Sequence, residues 1–167
     1  MTASFSSLGR SGKRSVVVLL GIAIGVWLLW PQPTDRESLD LLVAQAKHGF
    51  ESKSVSEIMD CVAPGYEDES GLTRADVSRI CQRVARQAKQ VEITITGHDI
   101  TVQSPKATGH FDVVAVLDLG TETITWPMRL EVQFMKQRRG WSKLWRQGWV
   151  VVSVNGHGLD KRFEDLL

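Results

Sequence analysis

The chain of 167 residues has few of the groupings from which catalytic and metal sites are built. It has two cysteines, no G-x-S-x-G nucleophile motif and no glycine-rich phosphate loop. Its histidines, cysteines and carboxylates show no metal-ligand spacing. These absences argue against a serine hydrolase of that type, a P-loop nucleotide-binding protein and a zinc site. We therefore expect neither a metal nor another cofactor.

Charge is nearly balanced, with 20 basic and 19 acidic residues, but its distribution is uneven. The leader, residues 1–14, is polar and carries Arg10, Lys13 and Arg14 with no acidic residue. The rest of the chain is left with 17 basic against 19 acidic residues, and is mildly acidic. A domain of that sign lacks the basic surface that binds nucleic acid, so we expect no nucleic-acid partner.

Fifteen apolar residues, Val16 to Trp30, follow the leader. As a helix, Ser15 to Trp30 would reach about 24 Å, short of the hydrocarbon core of a bilayer, which is about 30 Å thick. Two interpretations stay open, an uncleaved signal anchor and a cleaved secretory signal peptide. Trp27 and Trp30 suit the membrane interface, and no small-residue cleavage pattern follows the run, which favours the anchor.

The positions of the basic residues predict the topology. A short basic arm before a single apolar segment stays in the cytoplasm. We therefore expect a single-pass protein of the cell (inner) membrane, in contact with the lipid bilayer through residues 15–31. The remainder would be periplasmic or extracellular, an oxidising compartment in which cysteines can pair.

Apolar spacing predicts three helices after Pro33. Thr34 or Asp35 caps the first, which ends near Gly49. The second covers Val55 to Val62 with Ser54 as its cap. The third follows a capping box formed by Thr73 and Asp76, and its apolar positions are Val77, Ile80, Cys81, Val84 and Ala88.

After Gln90 the apolar period changes from that of a helix to the alternation of strands. Four strands are predicted to begin near residues 91, 108, 123 and 142, and Asn155-Gly156 ends the last. The phase of alternation slips at Gly97-His98, which predicts a β-bulge there. Residues 34–156 thus form one α+β domain with helices on one face of an antiparallel sheet, and residues 157–167 form a tail or short helix carrying Leu159, Phe163, Leu166 and Leu167.

The order of these elements resembles the NTF2-like (SnoaL-like) superfamily. The resemblance covers about residues 36–156 and includes the loop Gly65-Tyr66-Glu67-Asp68, the bent first strand and the segment from Gly140 to Leu144. It implies a cone in which three helices pack on a curved four-stranded antiparallel sheet. NTF2-like enzymes place acid/base Asp or His side chains inside that cone, so His110 and Asp112 are the acid/base candidates that the resemblance implies. The alternative is that both belong to the solvated face of the sheet.

Cys61 and Cys81 fall on the second and third helices, and both would face the interior. In an oxidising compartment they could form a disulfide that closes a loop of about 20 residues. The alternative is two buried free thiols, which pack as small apolar side chains.

Tryptophans recur on one face of the last strand, at Trp141, Trp145 and Trp149. Large aromatics there would either pack in the core or form a contact face, with Trp145 and Trp149 as its anchors in a homodimer or with an envelope protein partner. Two functions stay open. The domain is a non-catalytic binding or assembly module of the cell envelope, or it is a small extracytoplasmic isomerase, dehydratase or hydrolase that uses the cone as a substrate pocket. The scarcity of clustered polar groups favours the module.

Overall fold

Three helices precede four strands in the computed structural model, which describes residues 33–138 and 147–157. The predicted leader, the anchor at 15–31 and residues 158–167 lie outside this range. The part of the chain that is described contains no helix long and apolar enough to cross a bilayer. All its helices and strands belong to a unit that begins at Thr34. They are α1 (Asp35–Glu51), α2 (Val55–Cys61), α3 (Arg74–Gln87), β1 (Gln90–Gln103), β2 (Lys106–Asp118), β3 (Thr123–Arg138) and β4 (Gln147–His157).

Capping boxes begin α1 and α3. The Thr34 backbone N–H donates to the Glu37 carboxylate at 2.8 Å, and the Glu37 N–H donates to Thr34 Oγ1 at 3.2 Å. The predicted Thr73–Asp76 box is confirmed, and the Thr73 N–H donates to Asp76 Oδ2 at 2.9 Å. Each box satisfies N–H groups that the first turn of a helix leaves free. Ser54 precedes α2 as predicted, but its side chain makes no capping hydrogen bond.

The four strands form one antiparallel sheet in the order β1-β2-β3-β4. Together with the three helices, this confirms the predicted α+β architecture. Side chains alternate between the two faces, and on β2 the predicted apolar face is the buried one. That face consists of Phe111, Val113, Ala115 and Leu117.

Two strand details differ from the predictions. The bulge lies between Ile95 and Gly97, one residue before the predicted Gly97-His98. Asn155-Gly156 does not end β4, because Asn155 pairs with Glu131 and Gly156 pairs with Leu130 in the ladder. Asn-Gly is a strong turn signal, yet here the neighbouring strand supplies partners that keep both residues extended. The predicted start of this strand, near residue 142, lies outside the described residues.

The core lies between α1 and the sheet. Leu39 and Leu42 of α1 meet Phe111, Phe134 and Trp149 there. Gly109 is required by this packing, because a methyl group on it would come within 2.5 Å of the Phe111 ring and 3.1 Å of Phe134. The inner face of the sheet is thereby held close to α1.

The segment after α2 runs along β4. Val62 forms a parallel bridge with Val151, and the Ala63 N–H donates to the Val151 carbonyl at 2.8 Å. The Glu67 N–H donates to the Val152 carbonyl at 3.3 Å. These bonds fix the position of Tyr66, which packs with Met59 and Val62 in a second apolar cluster.

Candidate functional site

A cavity of about 400 Å³ lies between the inner face of the sheet, α1 and α3. Small-molecule sites have volumes of about 300–1,000 Å³ and are mostly apolar, so the size and lining suit such a ligand. The sheet contributes side chains from all four strands, and α1 contributes Val43 and Ala46. The sheet residues include Val91, Ile93, Val113, Ala115, Trp126, Met128, Leu130 and Val154.

The third wall of the cavity is α3. Its apolar side carries Val77, Ile80, Cys81 and Val84 at the spacing of one helix face, and all four line the cavity. The backbone of α3 is close to α2, whereas α1 is the helix close to the sheet. Of these four residues only Cys81 is buried, and the other three are half-buried. The cavity lies between this face of α3 and the inner face of the sheet.

Tyr66 is a polar residue in a mostly apolar lining. Its side chain is 6% exposed and lines the cavity. Burial raises the pKa of the Tyr66 phenol to about 12, the charge of Asp68 adds to this rise, and a backbone hydrogen bond with Val154 opposes it. At neutral pH the phenol is therefore protonated.

The charged residues that line the cavity, Lys47 and Asp68, are engaged by their own neighbours. Lys47 Nζ lies 3.6 Å from Glu51 Oε1. Asp68 Oδ1 accepts hydrogen bonds from the N–H groups of Ser70 and Leu72, both at 2.9 Å. Among residues 33–138 and 147–157, no charged side chain is buried. The interior thus offers hydroxyl and thiol groups rather than ionised ones.

Both cysteines line the cavity as buried thiols, and no disulfide joins them. Cys61 Sγ lies 3.4 Å from the Glu57 carbonyl oxygen, to which it donates. Burial raises the pKa of the Cys81 thiol to about 11, so Cys81 is a weak nucleophile at neutral pH. Both cysteines are therefore thiols in this structure. The Cys61–Cys81 disulfide stays a prediction for the oxidised protein.

The two acid/base candidates lie on the opposite face of the sheet from the cavity. The His110 side chain is 63% exposed, with Nδ1 at 4.0 Å from Glu131 Oε2. Asp112 Oδ1 accepts from Arg129 Nε at 3.0 Å, and both side chains are exposed. This placement fits the solvated-face alternative, because no ligand in the cavity could reach either residue.

Trp149, predicted as an interface anchor, is buried in the core at 4% exposure. Lys136 Nζ lies 5.3 Å from the centre of its ring and 2.6 Å from Asp35 Oδ1, which ties β3 to the start of α1. The contact-face hypothesis therefore fails at Trp149. Trp145, its partner in that hypothesis, lies outside the described residues.

A pocket in the cone was one of the alternatives that the sequence left open, whereas the position of Tyr66 in its lining was not predicted. Tyr66 is the single tyrosine of the chain and follows Pro64-Gly65 in a segment that reads as a polar loop. The one sequence feature that could have indicated its burial is that it is an aromatic residue among polar ones, because an aromatic side chain there is stabilised by packing on an apolar surface. The described residues contain no group of three or more His, Cys, Asp or Glu side chains that could hold a metal ion.

Comparison with solved structures identifies the fold. An NTF2-like protein from Cytophaga hutchinsonii aligns over 76% of this chain and 100% of its own, with a TM-score of 0.59 and 9% identity. An NTF2-like protein of unknown function in nutrient uptake, from Rhodospirillum rubrum, covers 72% of this chain and 98% of its own, with a TM-score of 0.58 and 9% identity. The chain has an NTF2-like fold.

A third protein with this fold is a proposed dehydratase of the NTF2-like family from Streptomyces avermitilis. It covers 72% of this chain and 92% of its own, with a TM-score of 0.53 and 13% identity. No protein-family model matches the chain. No curated protein matches it in sequence. The resemblance read from the sequence is therefore confirmed for the NTF2-like fold.

Proposed function

We propose that this chain is a membrane-anchored, extracytoplasmic binding module of the cell envelope that holds an apolar small molecule in its cone without transforming it. The observation that carries the proposal is the cavity of about 400 Å³ with apolar walls. Burial of an apolar ligand in such a cavity is favourable in proportion to the area removed from water.

The chemistry of the lining favours binding over catalysis. A general base needs a pKa near the operating pH. The pKa values of Tyr66 and Cys81, about 12 and about 11, leave both groups protonated at neutral pH. His110 and Asp112, the other candidates, are on the far side of the sheet. The groups inside can thus orient a ligand by hydrogen bonding.

The location is proposed from the sequence. The apolar run from Val16 to Trp30 and its basic leader support a signal anchor with the domain outside the cytoplasm. A domain held at the bilayer surface meets apolar molecules at the place where they concentrate. The anchor and the cavity therefore support the same function.

Binding can be tested with Nile red, a neutral apolar dye that fluoresces in apolar surroundings, and the full chain in lipid nanodiscs. Ala46 of α1 lines the cavity, whereas Ala44 of the same helix is exposed. We expect saturable binding by the natural chain, weakened about tenfold or more by Ala46→Phe, which fills the cavity. Ala44→Phe is the matched control and should bind as the natural chain does. Equal binding by both variants, after subtraction of protein-free nanodiscs, would refute the proposal.

A small enzyme of isomerase, dehydratase or hydrolase type is the second candidate. It is favoured by the Tyr66 hydroxyl beside Asp68 in the lining. The similarity in fold to a proposed dehydratase from Streptomyces avermitilis also supports the enzyme alternative. Turnover of an apolar hydroxy-carbonyl compound by the natural chain, lost in Tyr66→Phe while Nile red still binds, would establish this alternative over the first.

A further inference from the structure

The side of α1 that lines the cavity includes a basic residue. The lining residues of this helix have the spacing of a single helix face and are Leu42, Val43, Ala46, Lys47 and Phe50. Lys47 is the charged member of this set, and its side chain is 41% exposed. The same side chain therefore touches both the cavity and solvent. A lysine in that position can pack its methylene groups on the apolar wall and keep its ammonium group in water.

Lys47 is paired in the structure with a carboxylate that has a second partner. Lys47 Nζ lies 3.6 Å from Glu51 Oε1, and both side chains are partly exposed. An ion pair of this kind within one helix stabilises little, because water screens both charges. Glu51 Oε1 also accepts a hydrogen bond from the Ile93 N–H at 3.2 Å. Glu51 would thus keep a partner if the ammonium group of Lys47 turned to a ligand.

The acidic residue of the lining, Asp68, is held more firmly by its own neighbours. Its Oδ1 accepts from the N–H groups of Ser70 and Leu72, both at 2.9 Å, and from the Ser70 hydroxyl at 2.7 Å. These hydrogen bonds stabilise the turn before α3 and occupy that oxygen. Among the described residues of the lining, Lys47 is therefore the charged group better able to pair with a ligand, and its charge favours an anion.

We propose that the ligand of the cavity is a fatty acid, with its apolar chain in the cavity and its carboxylate paired with Lys47 Nζ. The proposal rests on the proposed function, because it names the class of apolar molecule that the cone holds. Each methylene group that enters the cavity adds favourable burial. One ammonium group balances the single charge of a carboxylate, whereas a phosphate monoester carries about 1.5 to 2 negative charges and calls for a second cation.

Displacement of Nile red from the full chain in lipid nanodiscs, at about pH 8 where a carboxylate is ionised, tests the pairing. Dodecanoate and dodecanol are the competitors, because they share an apolar chain and differ in the head group. Their partition into lipid is the same for every variant and cancels in the comparison. Lys47→Gln should lower the preference for dodecanoate over dodecanol about fivefold, the upper range for a partly exposed ion pair. Lys106→Gln is the matched control, since Lys106 is exposed at the start of β2 outside the lining, and it should keep the natural preference.

Two further variants test the charge in opposite directions. Lys47→Arg keeps the positive charge and should keep most of the preference for dodecanoate. Glu51→Gln removes the carboxylate that competes for Lys47, while the amide oxygen can still accept from the Ile93 N–H. The preference for dodecanoate should then rise about threefold.

The same preference in the natural chain, in Lys47→Gln and in Lys106→Gln would overturn the proposal. Tighter binding of dodecyl phosphate than of dodecanoate would also overturn it. If the dye still binds and Ala46→Phe still weakens it, the failure concerns the carboxylate alone and the proposed function stands. If neither dye nor competitor binds to the natural chain beyond protein-free nanodiscs, the proposed function fails and this proposal fails with it.

Discussion

At Gly109 there is no room for a side chain, because the Phe111 ring lies 2.5 Å from where a Cβ would stand. We predict that Gly109→Ala destabilises the domain by about 1–3 kcal/mol, the usual cost of overpacking a core. Chemical denaturation measures the change. Gly65→Ala is the control, since a Cβ at Gly65 would meet no atom within 4 Å. Equal stability of the two variants would contradict the packing described for β2.

Trp149 provides a second test at the residue scale. Because its side chain is buried against the core, Trp149→Ala should lower the free energy of unfolding by about 3–5 kcal/mol. Leu41→Ala is the comparison, because Leu41 is 64% exposed and its loss should change stability by about 0.5 kcal/mol or less. Sedimentation should show no change in self-association for either variant. Weakened self-association with unchanged stability would restore Trp149 to a contact face.

At the scale of elements, the capping box of α3 links stability to pH. Thr73→Ala should cost about 1 kcal/mol, the typical value for a lost N-cap. Hydrogen bonds from the Thr73 side chain and backbone hold the pKa of Asp76 below its ordinary 3.8. A lowered carboxylate pKa contributes stability above the ordinary value, and this contribution is lost as pH falls through the lowered one.

The difference in stability between the natural chain and Thr73→Ala should therefore be largest at neutral pH and shrink below about pH 3.8. Denaturation curves between neutral and acidic pH measure it, with Asp76→Asn as the matched variant that cannot titrate. A difference that grows on acidification would mean that the box does not lower the pKa.

The elements show which parts of the fold can be read from sequence. The alternation on β2 and the Thr73–Asp76 box were predictable, because local spacing alone determines which face is apolar and which residue caps a helix. The position of the bulge and the extension of β4 through Asn155-Gly156 were not. Both depend on pairing with a neighbouring strand, which local turn signals do not contain.

The cavity beside α3 could not be predicted from the spacing of apolar residues. Val77, Ile80 and Val84 have the spacing of an ordinary core helix, and the sequence cannot distinguish a helix packed on the sheet from one held away from it. His110 and Asp112 were placed by analogy of fold, whereas their parity on β2 puts them opposite Phe111 and Val113. The cavity depends on how far α3 lies from the sheet, and the spacing of residues along the chain does not contain that distance.

At the scale of the whole molecule, the fold and the apolar run lead to one prediction about topology. Arg10, Lys13 and Arg14 precede the run from Val16 to Trp30, so the N-terminus should stay in the cytoplasm and residues from about 34 onward should be outside. A reporter enzyme that works only in the periplasm, fused after Leu167, should be active.

The control for this prediction alters the charge that determines the orientation. Replacing Arg10, Lys13 and Arg14 by glutamine removes the positive charge that retains the leader, so activity of the periplasmic reporter should fall. The matched change of Arg79, Arg83 and Arg86 on α3 to glutamine lowers the charge equally but lies far from the run in sequence, and should leave the signal intact. Activity of a cytoplasmic reporter at the same fusion point would contradict the topology. The mass of the purified protein then separates an intact anchor from a cleaved signal peptide, because cleavage removes the leader together with the run.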